Sequence, residues 1–220
     1  MALKDQVTVF RVEDEEGRQQ ALEVMRAIYR EEKGWVGDES RQIPAEDLER
    51  RDISWFVVRV KAQPIGVLRV LYDPPIGLYK EYGLEFEMKD INVEEFVAKH
   101  RIAEVGRFGV LSEFRKHIFV VAALMRAAST ETVARGYTHY ITDVFEDDPN
   151  SPYDFHTRVM GFERVATHEH GELNCRSRRI TMVLDLKASY ARLKKRGGWI
   201  FRFLTGDWPE KLHRMASDRS

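Results

Sequence analysis

The chain opens on an alternating run, Val7-Thr8-Val9-Phe10-Arg11-Val12, whose β-branched and aromatic residues predict a short strand. Over 16–31 the apolar positions change period: Ala21, Leu22, Met25, Ile28 and Tyr29 recur at helical spacing. Gly34 and Gly37 stop that helix, with Trp35 between them. Residues 38–53 are polar and acidic around Pro44 and predict a loop with a short helix. Ser54–Val60 and Ile65–Leu71 read as two strands, joined as a hairpin by the four residues Lys61–Pro64 and ended by Pro74-Pro75. Residues 76–100 read as irregular or weakly helical. Arg101–Leu111 is a strand interrupted by Gly106 and Gly109, a pattern that predicts a bulge or a ligand close to the backbone. Residues 117–135 form the most apolar helix, closed by Gly136. Tyr137–Phe145 is a buried strand, and Pro149–Pro152 starts a helix that runs to Met160. Gly161-Phe162 turns into a strand to about Thr167, 168–177 is a polar loop, and Arg179–Leu186 alternates again. A basic helix, a Gly197-Gly198 break and an aromatic segment finish the chain.

Strands and helices in mixed order predict an α+β domain, with a mixed, mostly antiparallel central sheet flanked by helices. One domain is expected over 1–186, with 187–220 as a basic, aromatic extension packed on it. Of the 220 residues 43% are hydrophobic and 32% charged, which excludes collagen, mucin-like and disordered classes. Cys175 is the lone cysteine, so a disulfide scaffold is excluded and a reducing cytoplasm is expected. The first residues lack a signal-peptide pattern. The longest apolar run, Ile118–Met125, falls well short of the roughly 20 residues a membrane span needs.

Net charge is −1, but 187–220 holds nine basic and three acidic residues. Such an end attracts an anionic partner or surface. Trp199, Ile200, Phe201, Phe203 and Leu204 add apolar surface there, which either closes the domain's own core or docks a partner. A second basic cluster, Arg115, Lys116 and His117, precedes Ile118 at the start of the apolar helix. Cations at a helix N-terminus are unfavourable by roughly 0.3–1 kcal/mol each, which an anionic ligand would reverse. Arg69, Glu104 and Arg107 read either as an ion-pair cluster across neighbouring strands or as a reaction centre. His168, His170 and Cys175 fall short of a zinc set, so no metal is expected.

The block from Glu104 to Phe162 resembles the acetyl-coenzyme-A-type N-acyltransferases, the GNAT fold: a glycine-bearing strand, a basic turn, an apolar helix, a strand and a helix closing on Gly161-Phe162. Tyr29, Gly34-Trp35, Arg69 and Glu104-Val105-Gly106-Arg107-Phe108 further resemble the autoinducer (acyl-homoserine-lactone) synthases and the N-acyl amino acid synthases. The resemblance implies transfer of a fatty acyl group from acyl carrier protein to the α-amine of an amino acid. It implies that Glu104 accepts the amine proton and that the backbone of Phe108, Gly109 and Val110 holds the thioester oxygen. Arg69 and Arg107 would fork onto the acceptor carboxylate. Arg26, Tyr29 and Trp35 would bind the acceptor, and Arg115, Lys116, His117 and Ile118 the donor phosphate. The family's phosphate turn is glycine-rich and this one is not. That favours the single phosphate of an acyl-phosphopantetheine on carrier protein over acyl-coenzyme A. Thr157 stands where many members have a tyrosine as leaving-thiol acid, so that role is unfilled, and Tyr153 is a poor substitute. The alternatives are acyl-homoserine-lactone synthesis, acetyl-coenzyme-A-dependent acetylation and a non-catalytic acyl-carrier-binding module. No tightly bound cofactor and no nucleic acid are expected. The 187–220 extension is expected to contact the carrier protein or, peripherally, a membrane.

Overall fold

The structure, a computed structural model, describes residues 6–75, 83, 85–87 and 93–217. The strands are β1 (Val7–Arg11), β2 (Ile53–Val60), β3 (Gln63–Tyr72), β4 (Glu85–Phe86), β5 (Ile102–Val110), β6 (His139–Phe145), β7 (Glu163–His168) and β8 (Arg179–Asp185). Among the described residues they form one eight-stranded sheet in the order β1-β2-β3-β5-β6-β8-β7-β4. Every neighbouring pair is antiparallel except β5 with β6. The helices are α1 (Glu15–Met25), α2 (Val93–Lys99), α3 (Ile118–Ala134), α4 (Leu186–Arg196), α5 (Gly198–Thr205) and α6 (Glu210–Ser217). Two π-helical turns, Arg26–Glu32 and Phe155–Met160, extend the helical segments on either side of the site described below. Much of the stretch expected to be irregular, 76–82, 84 and 88–92, lies outside the described residues.

The centre of the sheet is buried on both faces because β2 and β3 are apolar at nearly every position. Successive side chains of a strand point to opposite faces. Phe56, Val58, Leu68, Val70 and Tyr72 therefore meet Val120, Leu124, Met125 and Ala128 of α3 on one face. Trp55, Val57 and Val67 meet Ala21, Leu22 and Met25 of α1 on the other. Asp14 caps α1 by accepting from the Gly17 N–H at 2.8 Å. The β2–β3 turn is shorter than expected. Gln63 and Pro64 pair with Val60 and Arg59, leaving only Lys61-Ala62 as the loop. Lys61 takes the left-handed conformation (φ 56°) that a two-residue hairpin turn requires.

Helix α3 is apolar nearly all round because it is covered twice. The sheet lies on one side, and the C-terminal helices lie on the other. Phe119 packs against Trp199 and Phe203, with ring centroids 4.9 and 5.7 Å away, and Trp208 Nε1 donates to Thr130 Oγ1 at 2.8 Å. Leu193, Leu204, Leu212 and Ala216 join the same core cluster as the sheet. Most of the aromatic end thus closes the core, while Trp199 stays 42% exposed. Leu204, 3% exposed, gives a direct measure. Leu204→Ala should lower the unfolding free energy by about 2–5 kcal/mol in a urea titration. A surface appendage would change it by less than about 0.5 kcal/mol.

Candidate active site

Strands β5 and β6 run side by side only from Ile102↔His139 to Val105↔Thr142. Beyond that point β5 continues to Val110 and β6 to Phe145, but they no longer pair. Thr142 Oγ1 donates to the Val105 carbonyl at 2.8 Å at the point where they part. On its other edge β5 meets β3 with one residue too many: Gly106 faces Arg69 and Gly109 faces Val67, so Arg107 and Phe108 together oppose Leu68. This is the bulge that the two glycines predict, but the left-handed residue in it is Arg107 (φ 50°), not a glycine. A cavity of about 310 Å³ fills the gap between the parted strands.

The glycines serve close packing. A β-carbon on Gly109 would lie 3.0 Å from Ile28 Cδ1 and 3.1 Å from Tyr29 Cε2, so this position lets the first π-turn press Tyr29 against the bulge. A β-carbon on Gly106 would lie 3.0 Å from Glu104 Oε1 and 3.2 Å from Arg69 Nη2. The carboxylate and the guanidinium lie across that bare backbone.

Arg69 Nη2 donates to Glu104 Oε1 at 2.6 Å. Arg107 Nη2 donates to Glu172 Oε2 at 2.7 Å, and its Nε donates to Gln42 Oε1 at 3.0 Å. Glu172 also lies 3.8 Å from Arg69 Nη1. Two guanidiniums thus converge on one carboxylate from the 168–177 loop. Partial burial pushes the Glu172 carboxyl up, but Arg69 and Arg107 outweigh it and hold it below the usual carboxylate range. Tyr29, buried beside them, has its hydroxyl pushed up to about 12 by desolvation although Arg107 and Arg69 pull the other way. At the far wall Trp35 packs on Phe145 at 4.2 Å, and Lys33, paired with Asp148, sits 4.2 Å over the indole.

Glu104, Arg107, Phe108, Gly109, Val110, Tyr29, Trp35 and Arg115 all line the cavity. Arg69 reaches it through Glu104 and Glu172. Lys116, His117 and Ile118 do not line it and are exposed at the start of α3. Arg115 is engaged by the protein itself, donating to the Val110 carbonyl at 2.8 Å and pairing with Glu32. Arg26 lies outside the cavity lining because Glu39 holds it: its Nε donates to Glu39 Oε1 at 2.6 Å, and Arg30 donates to the other oxygen at 3.0 Å. His168 and His170 do not converge. His168 Nδ1 lies 2.7 Å from the His170 carbonyl, and its Nε2 lies 3.1 Å from Asp143. Among the described residues no three His, Cys, Asp or Glu side chains form a metal-binding group.

Among the lining residues that sequence reasoning missed are Lys33, Asp143, Asp148, His156, Glu172 and Arg179. Asp143 stands on β6 where it leaves β5, accepts from Thr181 Oγ1 at 2.8 Å and faces the opening. Its signal was an acidic residue inside an apolar strand. Glu172 had no signal, because nothing in a polar loop marks which carboxylate folds back.

No protein-family model matches the chain, and no curated protein matches it. Solved structures do. FeeM, an N-acyl amino acid synthase from uncultured soil microbes, superposes with a TM-score of 0.65 at 16% identity, covering 87% of this chain and 98% of that one. Aminoglycoside 6'-acetyltransferase type Ii gives 0.56 at 14% identity, covering 81% and 96%. Arabidopsis thaliana NAA60 in complex with acetyl-CoA gives 0.56 at 13% identity, covering 82% and 98%. Likeness at this level establishes architecture: the chain has the GNAT fold.

The Arg26–Glu39 pair yields a pH prediction. The Arg26 hydrogen bond, first among the causes, holds the Glu39 carboxyl down at about 2 against a usual 4.5. A depressed carboxyl stabilises the fold above the usual value, and that contribution is lost as pH falls from 4.5 toward 2. Urea midpoints should therefore fall less steeply over this range in Glu39→Gln than in the wild type. Parallel curves would show that the pair contributes nothing.

Proposed function

We propose that this chain is an N-acyltransferase that moves a fatty acyl group from a carrier-bound thioester to the amine of an amino-acid acceptor. One observation carries the reading: a carboxylate, that of Glu172, sits in a two-arginine clamp beside the bulged, unpaired edge of β5. The edge suits a thioester. Past Val105 it no longer pairs with β6, so a donor can lie along it and its backbone N–H groups can meet the charge that develops on the thioester oxygen. The clamp suits the acceptor. Arg69 and Arg107 are fixed by neighbours and form charge-assisted bonds with any carboxylate placed there. The acceptor carboxylate takes the place of Glu172, which is half-exposed and on a loop. Its amine then lies near Glu104, which accepts a proton directly or through water. The likeness to FeeM supports this acceptor class.

The donor mouth suits a protein-borne arm. Helix α3 starts without a side-chain cap. Ile118 (39% exposed) and Trp199 (42%), which packs on the neighbouring Phe119, are exposed apolar side chains, and Lys116, Lys194, Lys195 and Arg196 are exposed cations. An acidic carrier protein matches that surface in charge.

Incubation with fatty acyl carrier protein and a mixture of amino acids, followed by mass spectrometry, tests the reading. N-acyl amino acids are expected. Transfer of acetyl from acetyl-coenzyme A alone, or no transfer, overturns it. Arg107→Lys should raise the acceptor KM roughly tenfold or more, because lysine cannot span two partners as a fork. The same substitution should barely affect a decarboxylated amine. Reversing Lys194, Lys195 and Arg196 to Glu should raise the KM for acyl carrier protein and leave that for acyl-pantetheine unchanged.

A further inference from the structure

His156 is fully buried and lines the cavity, and neither of its ring nitrogens has a hydrogen-bond partner. No other described residue leaves two buried side-chain nitrogens unpaired. Its surroundings are aromatic, with ring centroids of Phe162, Phe108 and Phe155 at 4.7, 5.6 and 6.0 Å. Phe108 belongs to the bulge itself. A buried polar group without a partner costs about 1–3 kcal/mol each, so a residue chosen for packing alone would be apolar here. Burial also pushes the imidazole down to about 3, so it is neutral at any working pH. A neutral imidazole offers one N–H donor and one acceptor nitrogen.

The π-turn explains how His156 comes to face the cavity. The Gly161 N–H donates to the His156 carbonyl at 2.8 Å, five residues back instead of four. Thr157 is turned to its own helix, where Oγ1 donates to the Tyr153 carbonyl at 2.9 Å. His156, five residues before Gly161, lines the cavity, and Thr157 does not.

We propose that His156 supplies the proton to the departing thiol, resting on the acyl-transfer reading above. An acceptor ammonium loses one proton to Glu104 or water before attack. The free amine then forms the C–N bond, and the C–S bond breaks. Nitrogen sheds its second proton to the acceptor nitrogen of His156, directly or through one water. The N–H of His156 passes its own proton to sulfur. The imidazole ends in its other tautomer, still neutral. The products are an amide and a thiol, with one proton released by way of Glu104.

The test compares wild type with His156→Phe on two donors that carry the same acyl group, an acyl-pantetheine and an acyl thiophenol ester. Thiophenolate leaves without needing a proton. His156→Phe should lose roughly 10²-fold or more in turnover with acyl-pantetheine and less than about tenfold with the thiophenol ester. An equal loss on both donors, or none, overturns the assignment while leaving acyl transfer intact. Failure of the wild type on both donors overturns the acyl-transfer reading and this one with it. His156→Leu provides the same comparison if the phenylalanine does not fit. A measurement on the wild type needs no substitution: free pantetheine, the leaving thiol itself, should shift the ¹⁵N resonances of His156. Unchanged resonances at saturating pantetheine would also overturn the role.

Discussion

The parting of β5 from β6 is the constraint on which the site depends. Strands that stop pairing inside a sheet expose backbone donors and acceptors where water is scarce, and such groups are costly unless something meets them. The structure meets the Val105 carbonyl with the Thr142 hydroxyl and the Val110 carbonyl with Arg115, and the residues between them line the cavity. The bulge follows from the same geometry. An extra residue bends β5 away from β6, and the left-handed Arg107 absorbs the bend at a cost of order 1–3 kcal/mol. Gln42 and Glu172 hold that side chain in place, so the local strain also aims a guanidinium.

Three ion pairs stand around the opening. Arg69 pairs with Glu104, Arg107 with Glu172, and Lys33 with Asp148. An acceptor with only a carboxylate would add an uncompensated negative charge to a partly buried site, and a simple amine would add a positive one. A zwitterion adds neither. In the proposed reaction its carboxylate would replace Glu172 on Arg107, and the half-exposed Glu172 would turn to solvent or to the incoming ammonium. On the proposed reading, these ion pairs suit a zwitterionic acceptor better than a simple amine.

The architecture was legible because its signals are local and periodic. The alternation in β2 and β3, the apolar run of α3 and the glycines of β5 each sit on the element that they mark. Glu104, Arg107, Tyr29 and Trp35 were legible because strand register and a short helix stop fix where they point. Arg26 was not. Glu39, thirteen residues later, draws its guanidinium away. Arg115 was legible as a cation but not as one already engaged by Val110 and Glu32. Contacts between residues far apart in the chain leave no periodic trace, and Glu172, which reaches Arg107 across 65 positions, is the plainest case.

The π-turns govern which side chains reach the cavity. Both border the cavity: one presents Ile28 and Tyr29, the other Phe155 and His156. A pattern read at 3.6 residues per turn is displaced by about one position once a π-turn has been passed. Such turns are rare because their hydrogen bonding is poorer than that of an α-helix, and they persist where a side chain must face a direction that the regular helix denies it. At the second turn that side chain is an imidazole with no partner inside the protein. The helix gives up regular geometry and the core gives up two hydrogen bonds at the same residue. Two local costs at one cavity-lining position are hard to explain by packing, and both are explained if the partner of His156 arrives with the substrate.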